Sequence, residues 1–364
     1  MSKENNIVTK RTVTFVNNAT PATITETQLD LDHCFGDDEI VIAIKAAALN
    51  PVDFALHELS YPRFTSAAPK AYGRDFAGVI IRRGAKVDPK WQVGDKVNGS
   101  FNHIYGPEGS LSNYLIMNTK KQLAIDHIPA TEDSDKDEFI HAAAWPLVFG
   151  TAYPALFKCG QTFNKDSRIL VIGASTAVSN AFVQIAKKQL NVGTVVGICN
   201  SASVDYNKSL GFDYLVPYNQ EGTIPDNVEK LMKENNIGKF DLIFDSVGSS
   251  DFFPVMDKFL KPRTENSYYV TVVGDEKINY KHPSLIGAIP YKVPFRTYNP
   301  WRKFNFAHFF CVPNKEWVDL GTRMIETGKY TPPIDSVFKL DQFQEAIDRL
   351  KSNRAKGKVI ITPN

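Results

Sequence analysis

Two rhythms of hydrophobic and polar positions divide the chain. Over the first 150 residues the apolar runs are short, as in EIVIAIKAAAL (39–49), AGVII (77–81) and KVNGS (96–100), and Gly, Pro and Asp pairs punctuate them. Short strands closed by turn residues predict a compact antiparallel, β-rich unit. From about Thr151 to Gly274 the runs RILVIG, TVVGIC, DYLVPY, KFDLIFDSVG and SYYVTVVG alternate with stretches of helical periodicity. That alternation predicts a parallel, doubly wound sheet. From about Val337 a strand-helix-strand pattern (SVFKL, LDQFQEAIDRLKSNRAKGK, VIITP) is suited to return to the first unit and bring the termini together.

The most informative join is RILVIGASTAVSNAFVQIAKK, residues 168–188. An apolar strand runs through a small-residue turn into an amphipathic helix that opens at Thr176 or Ala177. Such a turn gathers backbone N–H groups and the positive end of a helix dipole at one point, where dinucleotide-binding units hold a pyrophosphate. Of a G-x-x-G-x-x-G phosphate loop only Gly173 is kept; Thr176 and Ser179 stand at the later two positions. Bulk is therefore expected where backbone should approach phosphate. The turn also resembles a G-x-S-x-G nucleophile elbow, with Ser175, Asp245 and His308 in hydrolase order. That pattern breaks at Ala177, and no HGGG-type oxyanion segment accompanies it.

With 364 residues, 43% hydrophobic and 23% charged, the chain has core enough for two domains. A net charge of +2 argues against nucleic acid as a partner. No apolar run reaches the roughly 18 residues that span a bilayer. Cys34, Cys159, Cys199 and Cys311 form no C-x-x-C pair, so a reducing compartment and no structural metal are expected. The start, MSKENNIVTKRTVTF, has an early Glu4 and no apolar h-region, which predicts a cytoplasmic chain. The acidic stretch ATEDSDKDE (130–138) reads as a solvated loop.

Further blocks carry a resemblance over nearly the whole chain. VIAIKAAALNPVDF, PKAYGRDFAGVI, WQVGDKVNG, HAAAWPLVFGTAYPAL, DLIFDSVG and AKGKVII resemble, in the same order, blocks of the zinc-free, quinone-oxidoreductase branch of the medium-chain dehydrogenase/reductase superfamily. Within it, the GAST-x-VS, NHIYG-like and PPIDSVF blocks resemble the fungal Yim protein family of budding yeasts. The resemblance implies an α/β fold: a GroES-like β-rich catalytic domain from 1–150 and 316–364, and a doubly wound Rossmann cofactor domain from 151–315. It implies zinc-independent reduction of a small quinone or α,β-unsaturated carbonyl by hydride transfer. No metal is expected, because YGRDFAG lacks the His-Glu pair of the zinc enzymes.

Carried over block by block, the resemblance implies that Asn50 is the first catalytic candidate, donating a hydrogen bond to the developing enolate. Thr151 would approach the nicotinamide, and Val247, Val273 and Gly274 would line its ring. The backbone of Gly173, Ala174, Ser175, Thr176, Ala177 and Val178 would hold the pyrophosphate, and Tyr218 would lie on the adenine side. TVVGIC ends at Asn200 and Ser201, where an NAD enzyme places an acid on the ribose 2′-hydroxyl, so NADPH is favoured. Lys208 is the nearest cation along the sequence for a 2′-phosphate. Related reductases carry a tyrosine where this chain has Ala55, which leaves Tyr72, Tyr105 and Tyr114 as proton-donor candidates; Asp53 and Asp75 read as structural.

From Lys277 to Pro313 no acidic residue occurs, while Lys281, Lys292, Arg296, Arg302 and Lys303 interleave with Tyr291, Phe295, Tyr298, Trp301, Phe304, Phe306, Phe309 and Phe310. This insertion suits a cover over the substrate cleft, a homodimer edge or a peripheral lipid surface. The Yim resemblance implies lipid droplets and the mitochondrion beside the cytoplasm. The alternative function is a weak or inactive reductase fold with a regulatory or lipid-droplet-surface role.

Overall fold

The computed structural model describes residues 6–129, 137–274, 292–299 and 301–363. Strands in the first part are β1 (Ile7–Phe15), β2 (Thr23–Asp30), β3 (Glu39–Ala48), β4 (Lys70–Ala71), β5 (Asp75–Arg83), β6 (Lys96–Ser100), β7 (Tyr114–Asn118) and β8 (Ile125–His127). The second part holds β9 (Arg168–Ile172), β10 (Thr194–Cys199), β11 (Tyr214–Pro217), β12 (Leu242–Asp245), β13 (Tyr268–Thr271) and β14 (Asn305–His308); β15 (Ile334–Lys339) and β16 (Lys358–Thr362) follow.

Both rhythms of the sequence reappear as sheets. In the first unit β1 lies between β2 and β4, and a larger sheet runs β15-β16-β3-β5-β6-β8 with β7 also paired to β3. The solvated face of β2 matches its mostly polar sequence, whereas β3 is buried at most positions and sits at the centre. The closing strand does return: β16 pairs antiparallel with β3, Ile360 opposite Ala48.

In the second unit six parallel strands run in the order β11-β10-β9-β12-β13-β14. β9, RILVI, is buried at four of its five positions, as a strand covered on both faces must be. The chain winds outward from β9 through β10 to β11, then reverses to β12 on the other side. That reversal opens a crevice beyond the carboxyl ends of β9 and β12.

Three sequence expectations are modified. The boundary at 316 falls one residue into the helix Lys315–Glu326, whose Trp317, Val318 and Met324 share a core with Phe182 and Phe244 of the parallel unit. Amphipathic periodicity shows that this helix has an apolar face without saying which core takes it; the chain leaves the cofactor-side core only after Tyr330. Within 130–138, Glu138 opens the helix Glu138–Ala143 and pairs with Lys96 at 2.6 Å; residues 130–136 lie outside the described set.

The basic aromatic insertion also divides. Phe306 is buried, and Phe304 and Phe309 pack against core clusters, so these rings are structural. Phe295, Tyr298, Trp301 and Phe310 are 77%, 82%, 87% and 65% exposed. Lys281 and Tyr291 lie outside the described residues. Among the described residues, no helix is long and apolar enough to cross a membrane.

Candidate active site

The crevice is lined first by the turn after β9. Gly173 has φ +85°, and a Cβ there would stand 2.4 Å from Val247 Cγ1 and 2.9 Å from Ser246 Oγ. Glycine is required by both the backbone conformation and the approach of the β12 end. Thr176 caps the helix Ala177–Gln184, its hydroxyl accepting from the Ser179 N–H at 3.1 Å. The first-turn amides of Ala177 and Val178 have no partner within that helix and face its open end.

The two residues at former glycine positions do not fill the cradle. Ser246 gives its single hydroxyl proton to the carbonyls of Ile172 and Gly173, at 3.1 and 3.2 Å. Its lone pairs therefore accept from the hydroxyls of Thr176 and Ser179, both at 2.9 Å. Thr176 and Ser179 turn inward onto β12, and the expectation of bulk against phosphate is corrected. Ala174 is buried, whereas Ser175, Ala177 and Val178 remain half-buried at the mouth, with Ser175 Oγ accepting from Asn207 at 2.8 Å.

The same contacts dispose of the hydrolase order. The Asp245 carboxylate accepts the backbone N–H groups of Val247, Gly248 and Ser249 and the Tyr269 hydroxyl. Burial nonetheless lifts it to about 6, against the pull of those bonds. Among the described residues these are its hydrogen-bond donors, and they build the β12 turn beneath Val247.

At the end of β10, Asn200 caps Ala202 N–H at 3.0 Å and donates to the Tyr218 hydroxyl at 3.2 Å. Ser201 is tied to Asn219 through both backbone and side chain. Lys208 sits in the last turn of the helix Val204–Ser209. An ammonium at the strand end belongs to Lys356, which crosses from the C-terminal segment to donate to Ala202 O at 3.2 Å. Sequence reasoning missed Lys356 because its neighbour is 154 positions away; the AKGK run before the closing strand was its only local signal.

Toward the other end, Thr151 donates to Leu147 O at 2.7 Å and is hydrogen-bonded to Cys311, whose thiol burial pushes up to about 12. Val273 and Gly274 close the β13 turn, where Thr271 exchanges hydrogen bonds with Gly274. Asn50 departs from its expected role. Its Nδ2 donates to Ala48 O at 3.3 Å and to Asp75 Oδ2 at 2.9 Å, while its Oδ1 accepts from Lys358 Nζ at 2.7 Å. Both amide protons are committed and the residue is 1% exposed, so Asn50 joins β3, β5 and β16 and has no proton to offer a substrate.

Two of the three tyrosine candidates are also engaged. His57 Nε2 faces the carbonyls of Asn17 and Thr20 at 3.1 and 2.9 Å, so it carries the ring proton. Nδ1 then accepts from the Tyr72 hydroxyl at 2.6 Å. Tyr105 donates to Leu56 O at 3.1 Å. Tyr114 begins β7 at its pairing with β3, half-buried.

Asp53 accepts Asn50 N–H at 2.8 Å and so closes the start of the helix Pro51–Glu58. Burial, the dominant influence, raises its carboxyl from 3.8 to about 7, against Arg74 and the Asn50 N–H, which lower it. The folded chain keeps this proton to about pH 7, whereas an unfolded aspartate loses it near 3.9. The contribution to stability is thus full below about pH 4 and declines as pH rises toward 7. Asp53→Asn removes the titration and keeps an acceptor. Its melting temperature relative to wild type is expected to rise between about pH 4.5 and pH 7; a difference that stays flat across that range in thermal unfolding would contradict the assignment.

Comparison with known proteins places this geometry among relatives. Residues 36–127 match the alcohol dehydrogenase GroES-like domain, and residues 210–361 match the zinc-binding dehydrogenase family. The chain is 52% identical over 361 residues to Protein YIM1 of Saccharomyces cerevisiae (strain RM11-1a), covering 98% of each. Its fold is similar to that of a quinone oxidoreductase from Coxiella burnetii, with TM-score 0.75, 19% identity, and coverage of 98% of this chain and 100% of that one. A cobalt- and zinc-bound thermostable alcohol dehydrogenase from Pyrobaculum aerophilum shares it at TM-score 0.70, 19% identity, and 98% and 100% coverage. Among the described residues, no group of three or more His, Cys, Asp or Glu side chains is gathered to hold a metal ion.

Proposed function

The chain belongs to the fungal Yim protein family of the medium-chain dehydrogenase/reductase superfamily, and from that premise we propose that it is a zinc-independent, NADPH-dependent reductase of quinones or α,β-unsaturated carbonyls. The observation that carries this reading is the cradle after β9. Gly173 admits no Cβ, and the hydroxyls of Thr176 and Ser179 fold inward onto Ser246, which leaves backbone at the mouth. NADPH, when bound, supplies a hydride at C4 of its nicotinamide.

The chain's own groups would do the rest. Amides of the Gly173–Val178 turn would hold the pyrophosphate. Thr151, Val247, Val273 and Gly274 would flank the ring, and Tyr218 the adenine. Asn200, in place of an acid, offers no repulsion to a 2′-phosphate, and Lys356 offers it a cation. With Asn50, Tyr72 and Tyr105 already hydrogen-bonded within the protein, the final proton would come from water.

Lys356→Ala is expected to weaken NADPH binding by about three- to tenfold and NADH binding by less than about twofold, a modest effect because the side chain is exposed and screened. Parallel fluorescence titrations check this; equal losses for both cofactors would remove Lys356 from 2′-phosphate recognition. The reductase reading itself is tested by NADPH consumption against a panel of quinones and enones. If NADPH does not bind at all, the second reading gains, in which the exposed Phe295, Tyr298, Trp301 and Phe310 serve a peripheral lipid surface on a catalytically idle fold.

A further inference from the structure

Three hydroxyls stand in and just after the turn that follows β9, and two of them have given their protons inward: Thr176 and Ser179 both donate to Ser246 Oγ at 2.9 Å. Ser175 is arranged the other way round. Its Oγ lies 2.8 Å from Nδ2 of Asn207, a fully buried residue of the helix Val204–Ser209. That amide has one orientation, because its Nδ2 also meets the Ser203 carbonyl at 2.8 Å and a carbonyl can only accept. Asn207 is therefore the donor and Ser175 the acceptor. The hydroxyl proton of Ser175 is left pointing away from Asn207, and among the described residues no acceptor takes it.

The turn lies against the end of β10, where Ala174 N–H donates to Ile198 O at 2.8 Å. Ser175, half-buried at the mouth, follows directly. At such a strand end a dinucleotide site meets the adenosine ribose and its 2′-substituent. Here Asn200 stands in place of the ribose-binding acid, and Lys356 brings an ammonium to Ala202 O at 3.2 Å. A free O–H and an ammonium suit an anionic substituent better than a second hydroxyl.

We propose that Ser175 is a specificity-determining donor whose hydroxyl, turned outward by Asn207, gives its proton to the 2′-phosphate of NADPH, with Asn207 as the positioning residue behind it. The 2′-hydroxyl of NADH is an uncharged and weaker acceptor, so this bond separates the two cofactors. The proposal rests on the reading of this cleft as an NADPH site; it does not depend on what the hydride reduces.

The test is calorimetric titration with two probes that differ only in the 2′-phosphate, adenosine 2′,5′-bisphosphate and adenosine 5′-monophosphate. Wild type should prefer the bisphosphate. Ser175→Ala should weaken the bisphosphate about 5- to 20-fold and the monophosphate by less than about twofold, at unchanged melting temperature. Asn207→Asp sets an acceptor behind Ser175, whose proton then turns inward, so adding Ser175→Ala in that background should cost little more. A carboxylate acting through its charge alone would leave the full cost of Ser175→Ala in place. Ser175→Ala removes one half-buried hydroxyl and decides the matter if Asn207→Asp does not fold. Equal losses for the two probes, no loss, or a wild type without preference for the bisphosphate overturns the proposal. NADPH oxidation by quinones separates the two readings. Quinone reduction with a bisphosphate affinity indifferent to Ser175 sinks the donor alone, and Ser175-dependent bisphosphate binding without NADPH oxidation sinks the reductase reading alone.

Discussion

Lys358→Met is expected to lower the free energy of unfolding by roughly 3–5 kcal/mol, among the largest losses from any single substitution outside the hydrophobic cores. Lys358 is 3% exposed and Asp75 is fully buried, and they meet at 3.1 Å. Each has a second obligation: Lys358 donates to Asn50, and Asp75 accepts from Asn50 and from Leu147 N–H at 3.0 Å. Removing the ammonium leaves a buried carboxylate with too few donors and frees Asn50 Oδ1, so the cost is that of an uncompensated charge. The pair taken together is a weak source of net stability, because desolvating both ions offsets most of their attraction. The double variant Asp75→Asn, Lys358→Met should therefore be more stable than the sum of the single losses predicts. Thermal and denaturant unfolding of the four proteins measures this; a single-variant loss below about 1 kcal/mol would mean that the network is not closed as described.

The second large effect is on binding. Gly173→Ala should weaken NADPH by roughly 30-fold or more. An L-residue at φ +85° costs about 1–2 kcal/mol, and the new Cβ would lie 2.4 Å from Val247. Either the turn or the β12 end must move, and amides aimed at one phosphate lose their convergence. Since 1.4 kcal/mol is tenfold in affinity, strain and misalignment together reach the stated loss. The measurement is a cofactor titration at matched folded fraction, with Thr151→Ala as a comparator at the opposite end of the site. Unchanged affinity in Gly173→Ala would show that the turn does not hold the cofactor.

What was legible in the sequence was local. The apolar run of β9, the small turn and the Thr176 cap lie within a dozen residues, and each rule that predicts them uses near neighbours only. The inward turn of Thr176 and Ser179 was not legible, because it depends on Ser246, 70 and 67 positions away. Asn50 was misread for the same reason: its partners Asp75 and Lys358 stand 25 and 308 positions along the chain. A motif identifies the residue and its turn, yet the proton inventory of that residue is decided by strands that arrive later. Lys356 joins the β10 end from 154 positions away, because a crossing segment can bring a distant side chain back. The helix Lys315–Glu326 packs Trp317, Val318 and Met324 with Phe182 and Phe244 while its Thr322 bonds Asp126 of β8, a double attachment that an apolar stripe alone does not reveal.

The central claim is that the turn from Gly173 to Val178 holds a dinucleotide, and one titration tests it most directly. Wild-type protein and the variants Ser175→Trp and Ala177→Trp, which place bulk at the half-buried mouth of the turn, are titrated with NADPH and NADH by calorimetry. The account predicts saturable binding by wild type, tighter for NADPH than for NADH, and its loss in both variants at unchanged melting temperature. Wild type that binds neither cofactor, or variants that bind as wild type does, would contradict it.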